Sequence, residues 1–354
     1  MSIAEVQHFE YTNANIQYPP LIACNSSGIF LFSTANGTLH LYDANSGTNF
    51  EITEPRMTES RITCMGISPS HAFIAVCYEN GTILFYSLFD HKIIKSLTKF
   101  LDAKVTHCTF VSDFEFVIFD STLTLSLCKI VSLSIFGYNV NVIKLGTFQN
   151  FANQLSSPAV YRAVDDHPKD IDTQSYCCAP KFGHLIGLSL CQKFILAEIS
   201  PHFKILYETD TVDEGLEKPS FSFYLHDPDL LYVAYSSNGG INVLEVSQAR
   251  KDNVAHYFLK VIFNHPIPSP ATFVSFFSTS VIGVVHENSD ITLFDFINKD
   301  QPSLTQKCET KGLYFDDNNK LVVFSPHKID AYYLSSFKST FDFLKEHDQI
   351  DEII

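Results

Sequence analysis

Four times along the chain, an apolar run is broken by a short polar turn that starts with Asn and is followed by a second apolar run. The four breaks open Asn36-Gly37-Thr38-Leu39-His40-Leu41-Tyr42-Asp43, Asn80-Gly81-Thr82-Ile83-Leu84-Phe85-Tyr86-Ser87, Asn238-Gly239-Gly240-Ile241-Asn242-Val243-Leu244-Glu245 and Asn288-Ser289-Asp290-Ile291-Thr292-Leu293-Phe294-Asp295. Their leading apolar runs are residues 28–35, 71–79, 229–237 and 279–287. Asn-Gly between two strand-like runs is a strong short-range hairpin signal, because a tight turn with the right strand twist needs positive φ, which Asn and Gly tolerate. Each unit is therefore expected to be a β-hairpin.

Upstream of three of these hairpins lies a further strand-like segment, at 61–68, 220–226 and 271–278, and a fourth follows at 91–97 and 257–263. One unit is thus a four-stranded meander, the element that forms a propeller blade. The breaks at 36 and 80 are 44 residues apart and those at 238 and 288 are 50 apart, close to the ~40–50 residues of a blade repeat. Weaker units fill the gap, at 105–111, 114–120 and 123–130, then at 184–190, 193–199 and 203–208. A last unit spans 312–315, 320–324 and 328–334. The expectation is an all-β, WD-repeat-like propeller of about seven blades over residues 1–335. A β-sandwich would need two copies to use this many hairpins and leaves the long period unexplained.

Three segments stand outside the repeat. Residues 147–180 carry Pro158, Pro168, Pro180 and the stretch Asp165-Asp166-His167-Pro168-Lys169-Asp170, and read as a long inter-blade loop. From about Ser335 the alternation gives way to helical spacing, with Phe337, Phe341 and Leu344 on one face, so 336–354 are expected to be a short C-terminal helical segment. The last unit has only three evident strands. Residues 3–11 alternate and carry large side chains, so segment 1–11 is expected to supply the missing outer strand and close the ring.

Composition narrows the function. The 354 residues are 45% hydrophobic and 18% charged, which suits a folded chain with a large core. The net charge of −15 repels phosphates, so nucleic acid is not an expected partner. Nine cysteines, at 24, 64, 77, 108, 128, 177, 178, 191 and 308, contain no CxxC pair and read as reduced core residues; Cys177-Cys178 lack nearby partners for a metal. The start Met1-Ser2-Ile3-Ala4-Glu5 lacks the layout of a signal peptide, and the most apolar stretch, 121–137, includes Lys129 and several hydroxyls, short of a membrane helix.

No P-loop, GxGxxG, HExxH, GxSxG or EF-hand pattern occurs, so the expectation is no enzyme, no cofactor and no metal. Two acidic pairs, Asp165-Asp166 and Asp316-Asp317, raise the alternative of a propeller hydrolase with two carboxylates across a sugar, but read as turn acids in a chain without Trp platforms. The fourteen His residues are dispersed, with His71 at a turn and His107 on a strand. Tyr42-Asp43 and Phe294-Asp295 occupy the place of the Trp-Asp pair of a WD repeat, the ring expected against a neighbouring sheet and the acid at the strand end.

Five stretches in fixed order also carry a resemblance. They are residues 28–43; residues 62–88; residues 103–145, with Val105-Thr106-His107-Cys108-Thr109-Phe110; residues 184–208, with the turn Ser200-Pro201; and residues 337–354, with Phe337 where Trp is common. Together they resemble the propeller of the vacuolar protein sorting-associated protein 8 family, subunits of the CORVET endosomal tethering complex. The propeller of vacuolar protein sorting-associated protein 41, of the HOPS complex, shares this layout. The resemblance implies a non-catalytic scaffold that engages other tethering subunits and an endosomal Rab-type GTPase, cytoplasmic and peripheral on endosomal membranes through those partners. Family members continue into a long α-solenoid, so it also implies a chain truncated before that region. No family contact residue falls on a motif here, so no protein-binding residue is assigned. A scaffold of an unrelated complex remains the alternative.

Overall fold

A computed structural model describes residues 6–11, 22–26, 28–33, 39–43, 46–52, 60–89, 92–97, 103–132, 138–147, 159–162, 185–190, 193–199, 202–210, 220–227, 229–237, 240–251, 254–267, 269, 271–299, 304–307, 313–317, 319–325 and 328–334. Its regular structure consists of strands. After β1 (Val6–Glu10), blade one is β2 (Ile22–Ser26), β3 (Ile29–Ser33), β4 (Leu39–Asp43) and β5 (Thr48–Ile52). Blade two is β6 (Ile62–Ile67), β7 (Phe73–Tyr78), β8 (Ile83–Ser87) and β9 (Lys92–Leu97); blade three is β10 (Val105–Ser112), β11 (Glu115–Asp120), β12 (Thr124–Ser132) and β13 (Tyr138–Thr147). Blade four is β14 (Ala159–Arg162), β15 (Leu185–Leu190), β16 (Lys193–Glu198) and β17 (Lys204–Asp210); blade five is β18 (Phe221–Asp227), β19 (Leu230–Ser237), β20 (Gly240–Lys251) and β21 (Val254–Pro266). Blade six is β22 (Ala271–Phe276), β23 (Val281–His286), β24 (Asp290–Asp295) and β25 (Leu304–Lys307), and β26 (Leu313–Asp317), β27 (Lys320–Phe324) and β28 (Ile329–Leu334) belong to blade seven.

The result is seven four-stranded antiparallel sheets, each paired in sequence order except the last, which runs β1-β28-β27-β26. The expected closure strand is therefore in place. Val6 pairs with Leu334 and Glu10 with Asp330, and the Tyr11 N–H donates to the Ile329 carbonyl at 2.9 Å. The expected 147–180 loop is corrected at one point: Ala159–Arg162 form β14, which pairs with β15 as the first strand of blade four. The rest of 148–180, and the expected helical segment 336–354, lie outside the described residues.

Seven apolar clusters lie between consecutive sheets, one per seam, including one that joins blade seven to blade one. Strand β7 shows how a single run serves two seams. Ile74, Val76 and Tyr78 pack toward blade one while Phe73, Ala75 and Cys77 pack toward blade three. Alternate side chains point to opposite faces and both faces are covered, so the strand reads as a continuous apolar run. In blade four the approach of two sheets requires a missing side chain: a Cβ at Gly187 would sit 2.4 Å from the Phe221 ring of blade five.

Three innermost strands share a bulge that sequence reading did not reveal. Register slips between Ile62 and Cys64, Val105 and His107, and Ala271 and Phe273 each set aside one threonine. Thr63, Thr106 and Thr272 donate their hydroxyls to the carbonyls of Cys77, Phe119 and Val285 at 3.2, 2.9 and 3.0 Å. The hydroxyl re-forms a bond that the bulge removes from the ladder.

Candidate interaction surfaces

The turns between the second and third strands of the blades repeat in detail. The Gly81, Leu123 and Ser289 N–H groups donate to the carbonyls of Tyr78, Asp120 and His286, and these three residues carry φ of 76°, 62° and 68°. Asn80 and Asn288 accept through Oδ1 from the Thr82 and Asp290 N–H groups at 3.0 Å. In blades two and six the positive φ falls on the residue after Asn, which acts as a side-chain acceptor within the turn, and in blade three it falls on the residue after Thr122. Asn36-Gly37 and Asn238-Gly239 lie outside the described residues, although β3–β4 and β19–β20 pair as their hairpins require. The exposed groups of this turn set include Glu79, Asn80, Glu287 and Asn288, a polar and acidic rim.

Groups with catalytic character are bound into turns and seams. His286, 4% exposed, shares hydrogen bonds from Nδ1 with the Ser269 hydroxyl at 2.8 Å and from Nε2 with the Thr292 hydroxyl at 2.9 Å. A serine–histidine pair needs a carboxylate on the second ring nitrogen to hold the tautomer and an imidazolium; here a threonine, itself bonded to Thr305, occupies that place. The geometry ties the connection that enters blade six to that blade's third strand. Asp120 accepts from the Thr122 N–H, the Thr122 hydroxyl and the Thr124 N–H at 2.8, 2.6 and 3.1 Å, which occupies it as a turn acid.

Tyr42 and Phe294 stand where expected, against neighbouring sheets. Tyr42 lies with Phe324 in the seam of blades seven and one, and its ring is 6.0 Å from that of Tyr11. Burial, then the charge of Asp43, pushes its phenol pKa up. Phe294 meets His265 of blade five at 4.9 Å. Their acids close the next turn: Asp43 accepts from the Ser46 hydroxyl at 2.6 Å, and Asp295 from the Ile297 and Asn298 N–H groups at 3.1 and 2.8 Å.

Four of the cysteines, Cys64, Cys77, Cys108 and Cys128, are free and buried in the seam of blades two and three. Hydrogen bonds that the Cys77 thiol donates to Cys108 and to Cys64, then burial, push its pKa well up; burial, then Cys108, does the same to Cys128. Such thiols are poor nucleophiles. Among the described residues no group of three or more His, Cys, Asp or Glu is placed to hold a metal ion. Of the sequence candidates, Asp316-Asp317 end β26, His71 sits at the β6–β7 turn with φ 59° and His107 is on β10, so the fold does not gather them. Asp165-Asp166 and Cys177-Cys178 lie outside the described residues.

Seven sheets closed into a ring define a β-propeller of the WD-repeat type. No family model matches the sequence, and no curated protein does. Solved structures do. The Cps50 (Swd1) β-propeller domain of Myceliophteria thermophila aligns with a TM-score of 0.60 at 9% identity, covering 94% of this chain and 100% of that one. A chain of the mitotic checkpoint complex aligns with a TM-score of 0.60 at 9% identity, covering 95% of this chain and 93% of that one. As many as 1444 solved chains share the likeness, so it defines an architecture and leaves the role to be argued from the surface.

Proposed function

We propose that this chain is a non-catalytic, protein-binding scaffold in endosomal vesicle tethering, engaging an endosomal Rab-type GTPase and other tethering subunits, and held at the cytoplasmic face of endosomes through them. The observation that carries the scaffold reading is that His286, Asp120, Asp43 and Asp295 each spend their hydrogen-bonding capacity on turns and seams. Among the described residues such a molecule offers rims and sheet edges to partners, and its acids and its buried histidine are held in structural contacts. One similar chain belongs to the mitotic checkpoint complex. The endosomal part rests on the ordered resemblance of the five sequence stretches.

The test is binding of the purified chain to immobilised endosomal Rab GTPases loaded with GTP or GDP, with localisation of the tagged chain in cells. Selective binding to GTP-loaded forms with an endosomal distribution supports the proposal. Stable co-purification with a different complex, without Rab binding, replaces the endosomal part and keeps the scaffold. Saturable glycoside hydrolysis by the pure chain overturns both.

A further inference from the structure

The outermost strands of the seven blades are unequal. Strands β5, β9, β17, β25 and β1 are 5, 6, 7, 4 and 5 residues long, β13 is 10 and β21 is 13. The β20–β21 hairpin also outruns its own blade. The β19 pairing ends at Leu230–Ser247, whereas Ala249–His256, Arg250–Ala255 and Lys251–Val254 pair beyond it. A long strand at a sheet edge presents a row of backbone groups ready to pair with another strand, and proteins usually blunt such edges by shortness or charge. The four-residue β25 is the blunted kind; β21 is not.

The chemistry along β21 is as distinctive as its length. In a chain of net charge −15, β21 has no acidic residue and carries His256, Lys260 and His265. Its two ends differ. Phe263 and His265 reach Phe294 of blade six, at ring distances of 6.3 and 4.9 Å, whereas Phe258 is 62% exposed and Val261 43%. Tyr257, Leu259 and Val261 share the face opposite Phe258, and Tyr257 and Leu259 pack into the seam with blade four. Glu245 lies opposite Lys260 in the register, and Glu198 of blade four accepts from the Tyr257 hydroxyl at 3.0 Å on the other face. Among the described residues no strand pairs with the outer side of β21.

We propose that the outer edge of β21, centred on Phe258 and Lys260, docks an extended segment of a partner protein whose side chains along one face read acid, apolar, acid, and which adds to blade five as a fifth strand. Backbone pairing supplies affinity and the alternate side chains supply selection. His256, Phe258 and Lys260 are two residues apart in one register and share a face of β21, so an apolar residue of the partner meets Phe258 while acids two residues to either side of it meet His256 and Lys260, the favourable cross-strand combinations. A second copy of this chain fits less well, because two β21 edges bring like charges together. The proposal rests on the scaffold reading but not on the Rab partner, so either can fail alone.

The probe is a capped threonine-rich peptide in which three alternate positions read Glu, Val, Glu, with Lys in place of each Glu as control, added to the full chain. Fluorescence anisotropy should show that the acidic peptide binds at least ten-fold more tightly than the control. Lys260→Gln and Phe258→Asp, at exposed positions, should each weaken it at least three-fold while shifting Tm by no more than about two degrees. Hydrogen exchange should slow across 254–266 and not across 138–147. Equal affinity for the two peptides, no protection of 254–266, or protection there that grows with protein concentration in the absence of peptide would overturn the proposal, the last by showing self-association.

Discussion

The seam between blades two and three and the seam between blades seven and one are built differently. The first joins sheets whose strands follow one another in the chain, and its core mixes phenylalanines with Cys64, Cys77, Cys108 and Cys128. The second is aromatic, with Phe30, Phe32, Tyr42 and Phe324, and depends on a strand from the far end of the chain. That strand is held by more than its ladder. His8 Nε2 lies 2.9 Å from Asp330, which is fully buried and also 3.0 Å from Lys328; His8 stacks on Tyr332 at 5.0 Å; and the Tyr11 ring reaches Phe30 and Tyr42 of blade one. A local seam can rest on packing alone, whereas a seam closed over the whole chain must also offset the entropy of bringing distant ends together.

Removing residues 1–11 is therefore expected to have the largest effect. It deletes five ladder pairs, exposes the surface that buries Val6 and leaves Asp330 without His8, a loss on the order of 5 kcal/mol. Thermal denaturation should show a drop of about ten degrees, with hydrogen exchange rising first in β28; an unchanged Tm breaks the contrast. Asp330→Ala attacks the same closure more gently, on the face of blade seven that meets blade six, where Tyr332 and Val6 lie. His8 and Lys328 are 37% and 33% exposed and can turn to water, so about 1–3 kcal/mol is expected in urea denaturation.

Alkaline pH should strike the other seam. The thiols of Cys77 and Cys128 are pushed up, so above about pH 8.5 the unfolded chain releases protons that the folded one keeps. Stability is whole below that pH and falls as pH rises, by at most ~1.4 kcal/mol per unit per thiol. Tyr42, in the closing seam, begins to contribute only above about pH 10. Urea denaturation at pH 7.5 and 9.5 in reductant should show the loss, and Cys128→Ala should flatten it while Tyr42→Phe does not.

The smallest effects lie in the turns. Gly81→Ala in blade two, at φ 76°, should cost about 1 kcal/mol. Asn319→Gly in blade seven, at φ 59°, should gain a few tenths, because glycine holds that conformation without strain.

What could be read in advance follows from which residues carry a pattern. The hairpins around Asn80 and Asn288 were readable because a turn signal separates two buried runs, and β1 because its alternation stood beside a blade one strand short. Strand β13 was missed because its exposed positions, Asn139, Asn141 and Lys144, dilute the alternation. Strand β14 has four residues in a proline- and acid-rich segment, and β25, Leu304–Lys307, is as short. The threonine bulges gave no warning, since an isolated Thr in an apolar strand is ordinary β composition. The edge of β21 was read only in part, as 257–263, because its importance lies in how far it outruns β19, which no local pattern records.

The central claim, that the two ends of the chain share blade seven in one register, is tested most directly by a crosslink. Gln7 and Tyr333 are register partners, and the Tyr333 hydroxyl donates to Gln7 Oε1 at 3.3 Å, so Gln7→Cys with Tyr333→Cys places two thiols at disulfide distance. Mild oxidation followed by mass spectrometry should give a 7–333 linkage in nearly all molecules and a higher Tm. No linkage, or a linkage only when one of the cysteines is moved to another position, would contradict the closed ring.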